Sequence, residues 1–132
     1  MGWNVAPSNE EIGLLMEAGY IYRDSHKFQE SREVFSGAGA IFPQSEIPEI
    51  ALGTVDFAAS DFDGAIGHYK RALQLNPRSA YAYVHMGEAA LFQMDKESAR
   101  SHLKKAIELD PRGEYGKAAR SLLKLTDIVR FK

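Results

Sequence analysis

An internal repeat with a period of 34 constrains this chain more than any other feature of its sequence. Pro43, Pro77 and Pro111 stand one period apart. Four further columns keep the same step, and they read Gly19, Gly53, Gly87; Ser31, Ala65, Ala99; Phe35, Tyr69, Leu103; and Ala38, Ala72, Ala106. A period of this length indicates a stack of supersecondary units, because each unit alone is too small to bury its hydrophobic face.

The apolar spacing inside each repeat predicts two helices separated by a turn. The predicted first helices cover 10–24, 46–59 and 80–93, and the second helices cover 27–41, 62–75 and 96–109. A proline cannot continue the preceding helix, so each one ends a second helix. Ser45 and Ser79 are then placed to cap the next helix, and Ser8 with Glu11 forms a predicted capping box.

The small-residue columns predict where the helices meet. The Gly19 and Ser31 columns let the two helices of one hairpin approach closely, since neither carries a large side chain. The Ala38 column does the same where a second helix meets the next repeat. The bulky column of Phe35 is expected to fill the space between layers.

In each repeat, two small residues, a bulky residue and a third small residue are followed by a proline. This order at a period of 34 resembles the tetratricopeptide repeat. The repeats cover 12–45, 46–79 and 80–113, followed by a capping helix at 114–131. The resemblance implies a single all-α domain over 1–132, a right-handed helical-hairpin solenoid. The capping helix is expected to cover the open apolar end of the stack with one face and to solvate its basic residues on the other.

The composition restricts the chemistry that the chain can perform. The absence of cysteine excludes a disulfide scaffold, a zinc–cysteine site and a thiol nucleophile, and it is typical of a reducing compartment such as the cytoplasm. A net charge of −2 and the lack of a long apolar run predict no nucleic-acid and no membrane partner. The four histidines are scattered and no phosphate-binding loop occurs, so we expect no metal, no cofactor and no enzyme activity.

A second apolar row runs along the first helix of each repeat. A helix that packs only on its partner needs one apolar stripe, and spacings of 3, 4 and 3 place this extra row on one helix face. First helices of the resembled family line a concave groove, which implies a partner-binding role for Met16, Tyr20, Arg23, Ile47, Ile50, Thr54, Phe57, Tyr81, Val84, Glu88 and Leu91. Apolar grooves accept amphipathic helices or extended segments.

Two interpretations of this row remain open. It lines an exposed groove, or it is buried against a neighbouring repeat, the N-terminal lead with Trp3, or a homodimer partner. Some members of the family grip acidic C-terminal tails with lysine and asparagine at these offsets. Here the same places hold Met16, Tyr20, Thr54, Tyr81 and His85, which argues against an Hsp70 or Hsp90 tail as the partner.

Three short runs are similar to those of small chaperones of bacterial type III secretion systems. They are Gly19-Tyr20-Ile21-Tyr22, Ala65-Ile66-Gly67-His68-Tyr69 and Gly87-Glu88-Ala89. This resemblance implies a groove that shields a needle or translocator subunit before export. The short lead before Ile12 is nearer to the needle-subunit class, because translocator chaperones carry a longer N-terminal extension.

The sequence therefore predicts a protein-interaction module, a small cytoplasmic chaperone that binds a helical or extended client segment. The alternative is a self-associating scaffold or adaptor without a client, in which a homodimer buries Ile50, Phe57 and Tyr81 symmetrically. A third interpretation is a regulatory module of a larger enzyme. The start at Met1 and the C-terminal helix favour the first two.

Overall fold

The structure, a computed structural model, describes residues 8–130 apart from the side chain of Asn9; Trp3 lies outside them. Within that range the chain forms seven helices and no strand, which confirms the all-α prediction. They are α1 (Asn9–Asp24), α2 (Phe28–Ile41), α3 (Ile47–Ala58), α4 (Phe62–Leu75), α5 (Ala80–Phe92), α6 (Lys96–Leu109) and α7 (Glu114–Ile128). None of the described helices is long and apolar enough to cross a membrane.

Serine side chains mark the start of three first helices. Ser8 and Glu11 form the predicted capping box at α1, and Ser79 Oγ accepts from the backbone N–H of Ala82 at 3.1 Å. Ser45 stands one residue further out than predicted, because Glu46 is the residue that precedes α3. Ser45 Oγ instead accepts from the Ile47 N–H at 3.2 Å, close to the helix start.

The glycine of each repeat lies against the bulky side chain of its own hairpin. A Cβ atom added to the glycine would come within 2.4 Å of Phe35 at Gly19, 2.3 Å of Tyr69 at Gly53 and 2.5 Å of Leu103 at Gly87. All three bulky side chains are fully buried. The glycine column is therefore required by packing, and its partner is the bulky side chain that follows on the second helix of the same repeat.

The helices form two layers. Each first helix contacts the next one, in the order α1, α3, α5 and α7, whereas α2, α4 and α6 contact first helices but not one another within residues 8–130. Because the first helices lie closer together, the stack curves toward them. We call the surface that α1, α3, α5 and α7 present on this side the inner face.

The core consists of three clusters at the junctions between consecutive units. Each cluster combines the bulky residue and alanine of one hairpin with residues of the following first helix. The cluster at the last junction includes Ala119 of α7, with Tyr115 and Leu122 packed against it. Helix α7 thus occupies the place that the first helix of a fourth repeat would take, and it covers the end of the stack.

The turn between the two helices of each hairpin contains one residue in the left-handed conformation. His26, Ser60 and Met94 have φ angles of 60°, 64° and 61°, and they occupy the same place in successive repeats. This conformation lets the chain reverse within a few residues, although it costs about 1 kcal/mol or more for a residue other than glycine.

A pair of alanine substitutions tests the glycine contact. Gly53→Ala places a methyl group against the Tyr69 ring, so we expect it to lower the free energy of unfolding by about 2 kcal/mol. Gly67→Ala, also inside a helix but with no atom within 4 Å of the new Cβ, should raise it by about 0.5–1 kcal/mol. Urea denaturation followed by circular dichroism measures both, and equal effects of the two would contradict the packing role.

A missing helix cap offers a second test. Asp61 and Asp95 cap α4 and α6 by accepting from the N–H groups of Gly64 and Ser98, but Lys27 at the same place before α2 provides no side-chain cap. The backbone angles at the three positions are similar. Lys27→Asp should therefore stabilise the protein by about 1 kcal/mol and raise its Tm by a few degrees.

The control for this cap is Lys27→Ala, which removes the same charge without supplying an acceptor. Thermal melts of both variants beside the wild type separate capping from the loss of a cation. A Lys27→Asp variant no more stable than Lys27→Ala would show that the α2 start gains nothing from a cap.

Candidate functional site: the inner face

The predicted partner-binding row lies along the inner face, but the structure divides it into two groups. Five of its members are buried at 0–9% exposure: Met16, Ile50, Thr54, Val84 and Leu91. Four of these are apolar and belong to the core clusters. This part of the row follows the second interpretation, burial against a neighbouring repeat.

Ile50 has no exposed surface at all. It packs with Met86 and Ala89 of the following first helix, α5, which closes over it. A symmetric homodimer that buries Ile50 is therefore excluded in this conformation, since Ile50 is already covered within its own chain.

Six members of the row reach the surface in part: Tyr20, Arg23, Ile47, Phe57, Tyr81 and Glu88. They are distributed over α1, α3 and α5, with two on each helix. The exposed part of the row is therefore narrower and more polar than the sequence alone indicates.

Arg23 is the cation of the predicted row and is held in place by three contacts. Its Nη1 donates to Thr54 Oγ1 at 2.9 Å, and its Nε donates to Asp24 Oδ1 at the same distance. The guanidinium carbon lies 5.0 Å from the centre of the Tyr20 ring. These contacts join α1 to α3 across the inner face and occupy two of the three nitrogens of the guanidinium.

Helix α7 continues the row, which the sequence reasoning missed. Tyr115, Ala118, Leu122 and Leu125 stand one repeat period after Tyr81, Val84, Glu88 and Leu91. The sequence prediction assigns 114–131 the role of a cap only, although the same offsets could have revealed its second role. The inner face therefore has four helices, α1, α3, α5 and α7.

Two adjoining cavities lie between α5 and α7. The first, which we call the tyrosine cavity, has a volume of about 500 Å³ and walls that include Tyr81, His85, Glu88, Glu114, Tyr115 and Leu122. The second, the apolar cavity, has a volume of about 320 Å³ and is lined by Leu91, Phe92, Met94, Leu122, Leu125 and Val129 beside Glu88. Because Glu88 and Leu122 line both, the two cavities form one continuous groove.

Stacked tyrosines form one wall of the tyrosine cavity. The Tyr81 and Tyr115 rings are nearly parallel, with an interplanar angle of 19° and centroids 5.0 Å apart. Burial, followed by the neighbouring Tyr20 hydroxyl, raises the pKa of Tyr81 well above its ordinary value. Burial and then the Glu114 carboxylate raise the pKa of Tyr115 as well. Both phenols therefore stay protonated at a pH where an exposed tyrosine begins to ionise.

Two buried polar atoms behind this wall lack a hydrogen-bond partner among residues 8–130. They are the Tyr69 hydroxyl and Nδ1 of His85, whose rings stack at a centroid distance of 5.5 Å. His85 Nδ1 lies 3.5 Å from Glu88 Oε1, within ion-pair range but without hydrogen-bond geometry. We regard this contact as weak, which leaves the Glu88 carboxylate only loosely held.

The apolar cavity opens onto exposed hydrophobic side chains. Phe92 is 60% exposed, Met94 and Leu125 are each 40% exposed, and Val129 is 38% exposed. Phe57 lies behind Phe92, with ring centroids 4.9 Å apart, and supports it from α3. Adjacent exposed side chains of this size mark an interaction surface more often than single scattered ones do.

A separate ion-pair cluster lies where α2, α3 and α4 meet. His68 contacts Glu49 through Nδ1 at 2.8 Å and Asp56 through Nε2 at 3.4 Å, and Asp56 also pairs with Arg32 at 3.1 Å. This cluster links the first two repeats. No group of three or more histidine, aspartate or glutamate residues within 8–130 is arranged to hold a metal ion.

A family model described as the tetratricopeptide repeat matches residues 56–123 of the chain. This range begins in α3 and ends in α7, and therefore includes the first ten residues of the helix that continues the row. A search of curated protein sequences finds no match.

Solved structures with the same fold are similar to the chain at low sequence identity. The first tetratricopeptide domain of Spaghetti (RPAP3), bound to the HSP90 peptide SRMEEVD, is 19% identical with a TM-score of 0.74, covering 95% of this chain and 97% of that one. The Yersinia enterocolitica type III secretion chaperone SycD, in complex with a peptide of the translocator YopD, is 20% identical with a TM-score of 0.74, covering 92% and 95%. The tetratricopeptide domain of Sgt2 from Aspergillus fumigatus is 20% identical with a TM-score of 0.78, covering 93% and 80%.

Tyrosine absorbance tests the burial of the tyrosine wall. Because the pKa of Tyr81 is raised above its ordinary value near 10, Tyr81 should contribute nothing to the ionisation observed at 295 nm between pH 9 and 11. We therefore expect Tyr81→Phe to leave the amplitude of that transition unchanged. A smaller amplitude in the variant, with circular dichroism confirming that both proteins stay helical at pH 11, would contradict the burial.

Proposed function

Because the chain belongs to the tetratricopeptide repeat family, we propose that it is a protein-interaction module that binds a segment of another polypeptide on its inner face. The observation that carries this proposal is the groove between α5 and α7. There Phe92, Met94, Leu125 and Val129 stand side by side, each at least 38% exposed. No catalytic function is part of the proposal.

The size and lining of the groove fit a short peptide segment. Its apolar cavity admits one or two large side chains, while the aromatic and carboxylate groups of the tyrosine cavity orient the segment. The four partly exposed residues of the predicted row on α1 and α3 continue this surface. An extended or helical segment with apolar anchors matches such a surface.

The charge of the inner face disfavours an acidic tail. Glu88 and Glu114 line the tyrosine cavity, and no lysine or arginine in the described part of the chain lines either cavity. Arg23 is engaged with Asp24 and Thr54. An acidic peptide such as SRMEEVD, which the Spaghetti domain binds, would meet repulsion here because like charges come together in a partly desolvated site.

Within the family, we favour a small cytoplasmic chaperone, with a secretion needle or translocator subunit as its client. The support comes from SycD, a fold neighbour of comparable length that binds a translocator peptide, and from the apolar side chains of the groove. Apolar segments of that kind aggregate when exposed, and a chaperone that covers them keeps them soluble until export.

Self-association is a second candidate, and one observation favours it. Leu14 and Ile21 are 62% and 59% exposed, and they lie seven residues apart on α1. This spacing places them on one face of the outermost helix of the stack. A second copy could cover this face without involving the groove, so the two functions are separable by mutation.

A pair of matched double variants tests the groove. Met94→Gln with Leu125→Gln replaces two side chains that are each 40% exposed in the apolar cavity. Ile41→Gln with Leu75→Gln replaces two that are 48% and 41% exposed at the ends of α2 and α4. Affinity capture from cells that express the protein, with bound proteins identified and quantified by mass spectrometry, should show about a tenfold loss of client for the first variant alone.

Thermal melts should place both variants within a few degrees of the wild type, so that the loss reflects the surface and not unfolding. Equal client capture by both variants would exclude the groove as the binding site. Recovery of only the protein itself, with a dimer in sedimentation experiments that Leu14→Gln with Ile21→Gln abolishes, would establish the self-associating scaffold instead.

A further inference from the structure

We infer that the tyrosine cavity recognises a cationic side chain, lysine or arginine, of the bound segment, and that a neighbouring apolar residue of the same segment occupies the apolar cavity. This inference rests on the proposed function, because it assigns the chemistry of the segment that the groove binds. The charge preference that we infer is opposite to that of a site that binds acidic C-terminal tails.

Two carboxylates line the tyrosine cavity, and no lysine or arginine of residues 8–130 does so. Glu88 lies on its α5 side and Glu114 on its α7 side. Neither forms an ion pair with a lysine or arginine within residues 8–130, whereas Glu49, Asp56 and Asp127 each pair with an arginine. The cavity therefore presents negative charge that no lysine or arginine of the described residues neutralises, and an incoming cation would pair with it.

The loose contact of Glu88 keeps its carboxylate available. Its side chain is 33% exposed, and its contact with His85 Nδ1 is 3.5 Å long and lacks hydrogen-bond geometry. An ammonium or guanidinium group can donate to this carboxylate without displacing a stronger partner. Charge-assisted hydrogen bonds of this kind are about twice as strong as neutral ones.

The tyrosine wall suits the same group. Tyr81 and Tyr115 form a stacked aromatic pair beside both carboxylates. An aromatic face attracts a cation through its quadrupole, and the aliphatic stem of lysine or arginine packs against ring carbons and against Ala118 and Leu122. A carboxylate-bearing side chain would gain neither contact.

Because the two cavities are continuous, the residue that neighbours the cation in the bound segment is expected to be apolar. Glu88 and Leu122 line both, so a segment that places its cation against Glu88 has its next side chains beside Leu91, Leu122 and Leu125. The expected motif is a basic residue within about four positions of a large apolar residue, in an extended or helical segment.

Selection from a randomised dodecapeptide library displayed on phage identifies the preferred segments directly. We expect selection on the immobilised full chain to enrich lysine or arginine near leucine, isoleucine, phenylalanine or methionine. Fluorescein-labelled synthetic copies of the enriched peptides then give dissociation constants by fluorescence anisotropy.

Charge-removing variants locate the cation. Glu88→Gln with Glu114→Gln should weaken binding of the enriched peptides about tenfold, while Glu97→Gln with Glu108→Gln on α6 should leave it unchanged. Replacing the peptide's lysine with norleucine should weaken binding to the wild type by a similar factor. The same replacement should have a clearly smaller effect on the Glu88→Gln, Glu114→Gln variant, because the two changes remove the same ion pairs and leave only the contact with the tyrosine wall.

Enriched peptides without a basic residue, or equal affinity for the wild type and the Glu88→Gln, Glu114→Gln variant, would overturn the inference. The proposed function would still stand if those peptides lost affinity for Met94→Gln with Leu125→Gln. A library that yields no binding peptide, or peptides indifferent to the Met94 and Leu125 replacements, would overturn both. Selection of acidic C-terminal sequences would overturn the inference and indicate a site for carboxylate tails.

Discussion

The contact between a glycine on each first helix and the bulky side chain on the second helix of the same hairpin sets the geometry on which the rest of the structure depends. A side chain at Gly53 would push the Tyr69 ring out of the hairpin and with it the helix that carries it. Because the same contact recurs at Gly19 and Gly87, the three hairpins have similar spacing and stack in register. Regular stacking in turn brings the first helices together into one continuous inner face. The groove thus depends on glycine contacts that none of its own residues makes.

Most of the fold could be predicted from the sequence, because the residues that mark the helix boundaries recur in all three repeats. The predicted helices agree with α1 to α6 within one or two residues, and the glycine column has the packing role assigned to it. Prolines, caps and small residues act locally, so a single chain shows their effect directly. The left-handed conformation of His26, Ser60 and Met94 could not be predicted from their residue types, since none of them is glycine or asparagine.

The candidate site was less predictable, because exposure depends on how neighbouring repeats close over each side chain. Periodicity places Ile50 of α3 and Tyr81 of α5 on equivalent faces of their helices. In the structure α5 covers Ile50 completely, whereas Tyr81 stays partly exposed beside α7. The four-helix extent of the inner face could have been found from the offset that relates Tyr115 to Tyr81. The ion pairs of His68 with Glu49 and Asp56 could not have been found from the sequence, because they join side chains of two different helices and follow no local pattern.

The third hairpin turn connects backbone strain to the groove. All three left-handed residues bear the cost of that conformation, and a glycine would remove it. Ser60 is exposed and has no part in the inner face, so its side chain makes no contact there that would offset the cost of the backbone conformation. Met94 differs because its side chain lines the apolar cavity beside Phe92 and Leu125. A glycine there would relieve the strain but remove part of the exposed apolar surface, and methionine is the side chain that adapts most readily to different partners. The residue at this turn is therefore better explained by the proposed binding than by stability.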